Sequence, residues 1–127
     1  MQLVDLAASI AAARHARSAV VTVSVDNMVF LHPIRIGQLV LLKSSVNRVF
    51  RTSMEVGVKV FVEDVATGEV KHVSSAYLTF VALDQEHRKI ELTPVIPETL
   101  EEQRRWEAAG HRREIRLQLK QRAMERA

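Results

Sequence analysis

The sequence predicts an α+β domain: one long apolar helix, then four antiparallel strands, then a charged C-terminal helix. Three observations carry that reading. Residues 3–13 are apolar on nearly every side of a helical axis. Residues 19–83 then switch to a two-residue alternation broken by turn residues. No helical pattern separates those strand segments, so nothing demands the crossovers of a parallel sheet.

In the first element Leu3, Val4, Leu6, Ala7, Ala8, Ile10, Ala11 and Ala12 surround the axis, the pattern of a helix buried on most sides. Its alanines make it narrow, so that a sheet can approach closely. The helix is expected to run to about His15, with Arg14, His15 and Arg17 at the negative end of its dipole and Ser18 beginning the exit. Asp5 is the anomaly. A carboxylate in apolar surroundings costs several kcal/mol, roughly, unless something partners or uses it. At the start of a helix it is also favoured by the dipole alone, and the residues leave both roles open.

From Ala19 onward Val21, Val23 and Val25 alternate with Thr22, Ser24 and Asp26, as in a half-buried strand. Pro33 stops this strand and Gly37 turns the chain into a second, from about Gln38 to Val49. The third strand is the clearest, with Met54, Val56, Val58, Val60 and Val62 on one face and Glu55, Gly57, Lys59, Phe61 and Glu63 on the other. Ala66-Thr67-Gly68 forms a hairpin turn into a fourth strand, Val70 to Leu83. There Val73, Ser75, Tyr77, Thr79 and Val81 are expected on one side, and His72, Ser74, Ala76, Leu78 and Phe80 on the other. Short turns between neighbouring strands predict antiparallel pairing.

Beyond Asp84, residues 93–97 read as an extended linker, and Thr99 with Glu102 resembles a capping box. The helix that follows carries Leu100, Trp106, Ile115, Leu117 and Leu119 among many charges and is expected to break near Gly110. It reads as a surface or subunit-contacting helix with a frayed end, and its basic cluster at Arg112-Arg113 and residues 120–126 as a solvated face. The organisation is thus a domain over residues 1–92 and a linker plus helix over 93–127.

Composition narrows the function classes. The 127 residues, 47% of them hydrophobic, suit a single domain. No apolar run reaches the length of a membrane span and no secretory leader pattern is present, which predicts a cytoplasmic protein with no membrane partner. There is no cysteine, and the five histidines are scattered, so neither a disulfide nor a metal centre is expected. The net charge of +3 is dispersed and only 5% of residues are aromatic, which speaks against nucleic acid. A small polyanion carrying phosphates suits this modest basic surplus.

The segments 5–15, 21–26, Phe30-Leu31-His32-Pro33, Arg51-Thr52-Ser53-Met54-Glu55-Val56 and 76–84 together resemble the acyl-CoA thioesterases of the hot-dog fold, in the branch of the bacterial and brain acyl-CoA hydrolases. The resemblance covers about Leu3 to Pro97. It implies a long helix wrapped by an antiparallel sheet, a homodimer joined sheet to sheet, further assembly as a trimer of dimers, and an active site between two subunits. The implied activity is hydrolysis of acyl-CoA to a free acid and CoA, with coenzyme A as part of the substrate and no separate cofactor. A non-catalytic acyl-CoA-binding or assembly module on the same fold is the alternative.

Carried onto this sequence, the resemblance implies that Asp5 is the helix carboxylate that activates water or attacks the thioester. Arg51, Thr52 and Ser53 match the loop that helps bind CoA, and a guanidinium with two hydroxyls suits phosphate oxygens. Lys71 and His72 are further candidates for the nucleotide's phosphates, whereas His15 and His32 are expected to close a helix and a turn. Two departures are visible. The family places a strand and a His-Gly-Gly segment ahead of the helix, where this sequence starts at Met1, which leads to the expectation of a domain without its first strand and impaired in activity. Leu6 and Ser9 stand where the family usually has an acidic residue and a glycine.

Overall fold

The computed structural model describes residues 2–126, the side chains of Gln2 and residues 26–30 excepted. The elements are α1 (Gln2–Ala16), β1 (Ala19–Phe30), β2 (Gln38–Phe50), β3 (Ser53–Asp64), β4 (Val70–Leu83) and α2 (Leu100–Arg126). The strands form one antiparallel sheet in the order β1-β4-β3-β2. The α+β class and the extent of every strand agree with the sequence reading to within a residue or so.

The sheet has two differently used faces. Alternation along β3 sends Met54, Val56, Val58, Val60 and Val62 toward α1, where all five are buried with Phe80, Leu78 and Ala76 of β4. On the other face Glu55, Gly57, Lys59 and Phe61 look toward α2. Because α1 meets the sheet through Val4, Ala8 and Ala12, one residue per turn and mostly methyl-sized, the backbone of the helix comes close enough for Ser44 Oγ to donate to the Ala7 carbonyl at 3.1 Å. The expectation of burial on most sides is corrected here: in the single chain Leu3, Leu6 and Ile10 are 56–59% exposed. A four-stranded sheet covers only one flank of the helix, and the opposite flank stays apolar and open.

Bulges in β1, β2 and β4 interrupt the simple alternation, and those at Val23 and Val73 revise the face assignments drawn from it. At β1 the register with β4 slips between Thr22 and Ser24, so Val23 is the extra residue, and Val21 and Val25 fall on opposite faces instead of sharing one. The side chain of Asp26, expected opposite the valines, lies outside the described residues. At β2 the slip between Val46 and Arg48 makes Asn47 the extra residue. At β4 the slip sits at Val73, which is fully buried on the α1 side, while His72 turns to the α2 side and lies against Phe61 with ring centroids 5.2 Å apart. Val73 and His72 have therefore exchanged the faces that strict alternation assigned them.

α2 docks on the second face through a polar, buried contact. Glu55, only 1% exposed, accepts from Arg112 Nε at 3.0 Å, from Arg112 Nη2 at 2.6 Å and from Asn47 Nδ2 at 2.9 Å. Arg112 also stacks on Tyr77, and Arg48 on Trp106, at 3.6 and 3.4 Å from the ring centroids. Thr99 Oγ1 caps α2 by accepting from the Glu102 N–H at 3.0 Å, as the capping pattern predicted. The expected break at Gly110 does not occur. The helix continues to Arg126, and the Arg48 guanidinium passes where a Cβ at position 110 would stand, so a larger residue there would displace it.

Candidate active site

Asp5 stands in the first turn of α1, where partial positive charge from unpaired backbone N–H groups favours a carboxylate. The side chain is exposed, so the buried carboxylate expected from the helix pattern is corrected: the apolar flank around it is open on one side. Its Oδ1 accepts from Thr22 Oγ1 at 3.2 Å. Thr22 lies on β1 just before the Val23 bulge, and the bulge fixes which residue of the strand faces the helix there. The other carboxylate oxygen has no protein partner among the described residues. The exposed Leu6 is the next residue on the helix, and Leu3 and Ile10 lie within two turns of it. A carboxylate with one oxygen held, the other open and an apolar surface alongside can take a proton from water or attack an electrophilic carbon next to a greasy chain.

Arg51 and Thr52 form the tight turn between β2 and β3, and Ser53 begins β3 opposite Phe50 and Val81. The Arg51 guanidinium is exposed, its Nε donating to Glu91 Oε1 at 3.1 Å, while the Arg51 carbonyl accepts from the Leu92 N–H. This second bond ties the segment after β4 to the turn. Thr22 pairs with Phe80, and Phe80 with Met54, so Asp5's partner and the turn lie at the same end of the sheet, two strand spacings or about 10 Å apart.

Lys71 and His72 are not brought to that place. Lys71 pairs with Val62, nine residues along β3 from Ser53, which is about 30 Å at the usual strand rise. Lys71 is exposed beside Glu69. His72 Nε2 lies 2.8 Å from both the Ser74 carbonyl and Ser75 Oγ. His15 Nε2 meets the Thr93 carbonyl at 2.8 Å, in keeping with a part in closing the end of α1.

Thr22 escaped the sequence reading because nothing local marks it: a threonine alternating with valines is ordinary strand chemistry, and its partner is 17 residues away. Glu55 and Arg112 escaped for the same reason, being 57 residues apart. The described residues contain no group of three or more acidic or histidine side chains placed to hold a metal ion, and no helix long and apolar enough to cross a membrane.

A family model for the Thioesterase superfamily matches residues 1–69. The chain is 40% identical over 118 residues to the acetyl-coenzyme A thioesterase of Mus musculus, a match that covers 93% of this chain but only 21% of the mouse protein, so it spans about a fifth of that relative's length. Among solved structures, the acyl-CoA hydrolase from Bacillus cereus superposes with a TM-score of 0.91 at 40% identity, covering 98% of this chain and 76% of that one. The acyl-CoA hydrolase from Staphylococcus aureus, solved with butyryl coenzyme A and coenzyme A, gives a TM-score of 0.87 at 34% identity over 98% of this chain and 78% of that one. The helix cradled on one face of an antiparallel sheet, the family match and these likenesses agree, and the chain belongs to the Thioesterase superfamily, on its hot-dog fold.

Proposed function

We propose that this chain hydrolyses acyl-CoA thioesters to free acid and CoA, with Asp5 as general base or nucleophile. The observation that carries the reading is the Asp5 carboxylate, held by Thr22 at 3.2 Å beside the open apolar flank of α1. Alanine variants of the S. aureus acyl-CoA hydrolase have been solved at an aspartate and at a threonine 17 positions apart, the interval that separates Asp5 from Thr22. In this reading the acyl chain lies along Leu3, Leu6 and Ile10. Asp5 takes a proton from water as the water oxygen bonds to the thioester carbonyl carbon, and the tetrahedral species collapses by expelling the CoA thiolate, which takes the proton back from Asp5. Attack by Asp5 itself would instead form an acyl-aspartyl anhydride that water then opens. Thr22 orients the carboxylate in either route.

Arg51, Thr52 and Ser53 are proposed to hold CoA phosphates. Lys71, at the far end of the sheet, would serve the same substrate only from a second subunit, and the reading leaves out His72, whose Nε2 is already committed to Ser74 and Ser75. A homodimer assembled further, as a trimer of dimers, is part of the proposal. Support comes from the exposed flank of α1, which needs a cover, and from two similar thioesterases, one from Yersinia pestis, that are described as hexameric. The proposed setting is the cytoplasm, in keeping with a sequence that uses no disulfide chemistry.

The test is release of CoA from a series of short to long acyl-CoA esters by this chain and its Asp5→Ala variant. Turnover that disappears in the variant supports the reading. Turnover equal in both would overturn the role of Asp5, and CoA affinity without turnover in either would select the binding-module alternative.

A further inference from the structure

The face of the sheet turned away from Asp5 carries a cleft of about 550 Å³ between β2, β3, β4 and the first half of α2. Its floor holds an arrangement that costs stability in the isolated protein. Lys43 of β2 and Lys59 of β3 are direct cross-strand partners, and they project to the same side of the sheet, where like charges opposite each other repel. Lys59 in turn pairs with Ser75 of β4, so one row across three strands reads Lys43, Lys59, Ser75. Arg104 and Arg105 line the cleft from α2 above this row. Arg105 is paired with Glu101 at 3.4 Å. Among the described residues Lys43, Lys59 and Arg104 have no carboxylate within ion-pair range, so the cleft holds three cations in excess.

Ser75 is prepared as a donor. His72 Nε2 lies 2.8 Å from the Ser74 carbonyl, which can only accept, so the hydrogen is on Nε2. The same N–H points at Ser75 Oγ, 2.8 Å away, and Ser75 accepts from it. The pair is therefore not a base and nucleophile: His72 has no lone pair on Nε2 to take a proton. Ser75 is left with its own hydrogen to give, and Ser75 lines the cleft.

We propose that this cleft is a binding site for a compact polyanion of the diphosphate class, free or as part of a nucleotide, on the face opposite the proposed hydrolytic site. Such a ligand bridges Lys43 and Lys59 and turns their repulsion into shared attraction. Arg104 closes on it from α2, and Ser75 donates to one of its oxygens. Phe61, already stacked with the Lys43 ammonium 5.1 Å from its ring centroid, bounds the side of the site where a base would lie.

The experiment uses the full chain at constant ionic strength, with calorimetric titration and thermal melting in inorganic pyrophosphate, ADP and CoA in parallel. The variants are Lys43→Gln/Lys59→Gln, Arg104→Gln and Arg51→Ala. Expected are binding of pyrophosphate by the wild type with a rise in Tm, at least a tenfold loss of pyrophosphate affinity in the double variant, a smaller loss in Arg104→Gln, and, in Arg51→Ala, unchanged pyrophosphate affinity with weakened CoA affinity. Without any anion the double variant melts above the wild type, because a repulsive pair has been removed. Either order of pyrophosphate and ADP supports the site and names its source, free or nucleotide-borne. No pyrophosphate binding by the wild type, pyrophosphate binding undiminished in the double variant, pyrophosphate binding lost in Arg51→Ala, or a double variant that melts below the wild type in the absence of anion overturns the proposal.

Discussion

The guanidinium of Arg112 and the carboxylate of Glu55 form a two-pronged ion pair between α2 and β3, both side chains largely withdrawn from water. Its position explains how a helix as polar as α2 lies on a sheet: its anchor is a charged fork instead of an apolar stripe. Removing one partner leaves the other charged and dry. Arg112→Met is therefore expected to cost about 3–5 kcal/mol in urea denaturation, and the double variant Glu55→Leu/Arg112→Met to recover most of that loss.

Asp5→Asn is expected to lower kcat for acyl-CoA hydrolysis by about 10²–10⁴-fold. Because the side chain is exposed, the denaturation midpoint stays within the range of surface substitutions. Thr22→Val, which keeps the shape and deletes the donor, loses roughly 10–100-fold, as for one hydrogen bond to a charged group. Steady-state kinetics of the two variants, with melting as the folding control, decide this; a Thr22→Val enzyme as fast as the wild type would remove Thr22 from the site.

Arg51→Ala is expected to raise KM for acyl-CoA by roughly tenfold with kcat little changed, since a phosphate contact far from the thioester is the same in ground and transition states. Its bond to Glu91 is exposed on both sides, so stability falls by less than about 1 kcal/mol. A fall in kcat at constant KM would argue against a binding role.

Gly57→Ala tests the close approach beneath α2. A Cβ there would stand 2.7 Å from Asn47 Nδ2, which is held by Glu55 and cannot give way cheaply. The expected cost is about 1–3 kcal/mol by denaturation, with loss of α2 docking seen as faster proteolysis in residues 100–126.

Ala8→Leu tests the other face. Ala8 is fully buried against the sheet, and three added carbons would push α1 away and lengthen the Ser44 to Ala7 bond. A loss of about 1–3 kcal/mol is expected, measured as a lower Tm.

The sequence made the elements legible because their signals are local. Met54 and the four valines of β3 alternate over nine residues without interruption, and all five are buried as that pattern predicts. The bulges at Val23, Asn47 and Val73 were not legible, since an extra residue shows itself only against a partner strand, and those at Val23 and Val73 shifted a face assignment. Gly110 read as a break because glycine is a poor helix former; the side chain that crosses it, Arg48, lies on another element. For the proposed site, Asp5 stood out as a charge on an apolar helix. Its true exposure did not, because what covers a helix is a property of the whole sheet.

The alternation of β3 has a consequence for how this gene can change. Every second residue of the strand serves α1 and the intervening ones serve α2, so substitutions on one face leave the other intact. A single codon inserted or deleted within 54–62 would reverse the facing of every residue on one side of it, aiming buried residues at α2 and polar ones at the apolar layer, and so would spoil both faces at once. The other three strands already carry extra residues, two in β1 and one each in β2 and β4, and have kept their pairing beyond them, whereas β3 carries none. Length variation in this domain is therefore expected in the turns and in β1, β2 and β4, while β3 keeps its length.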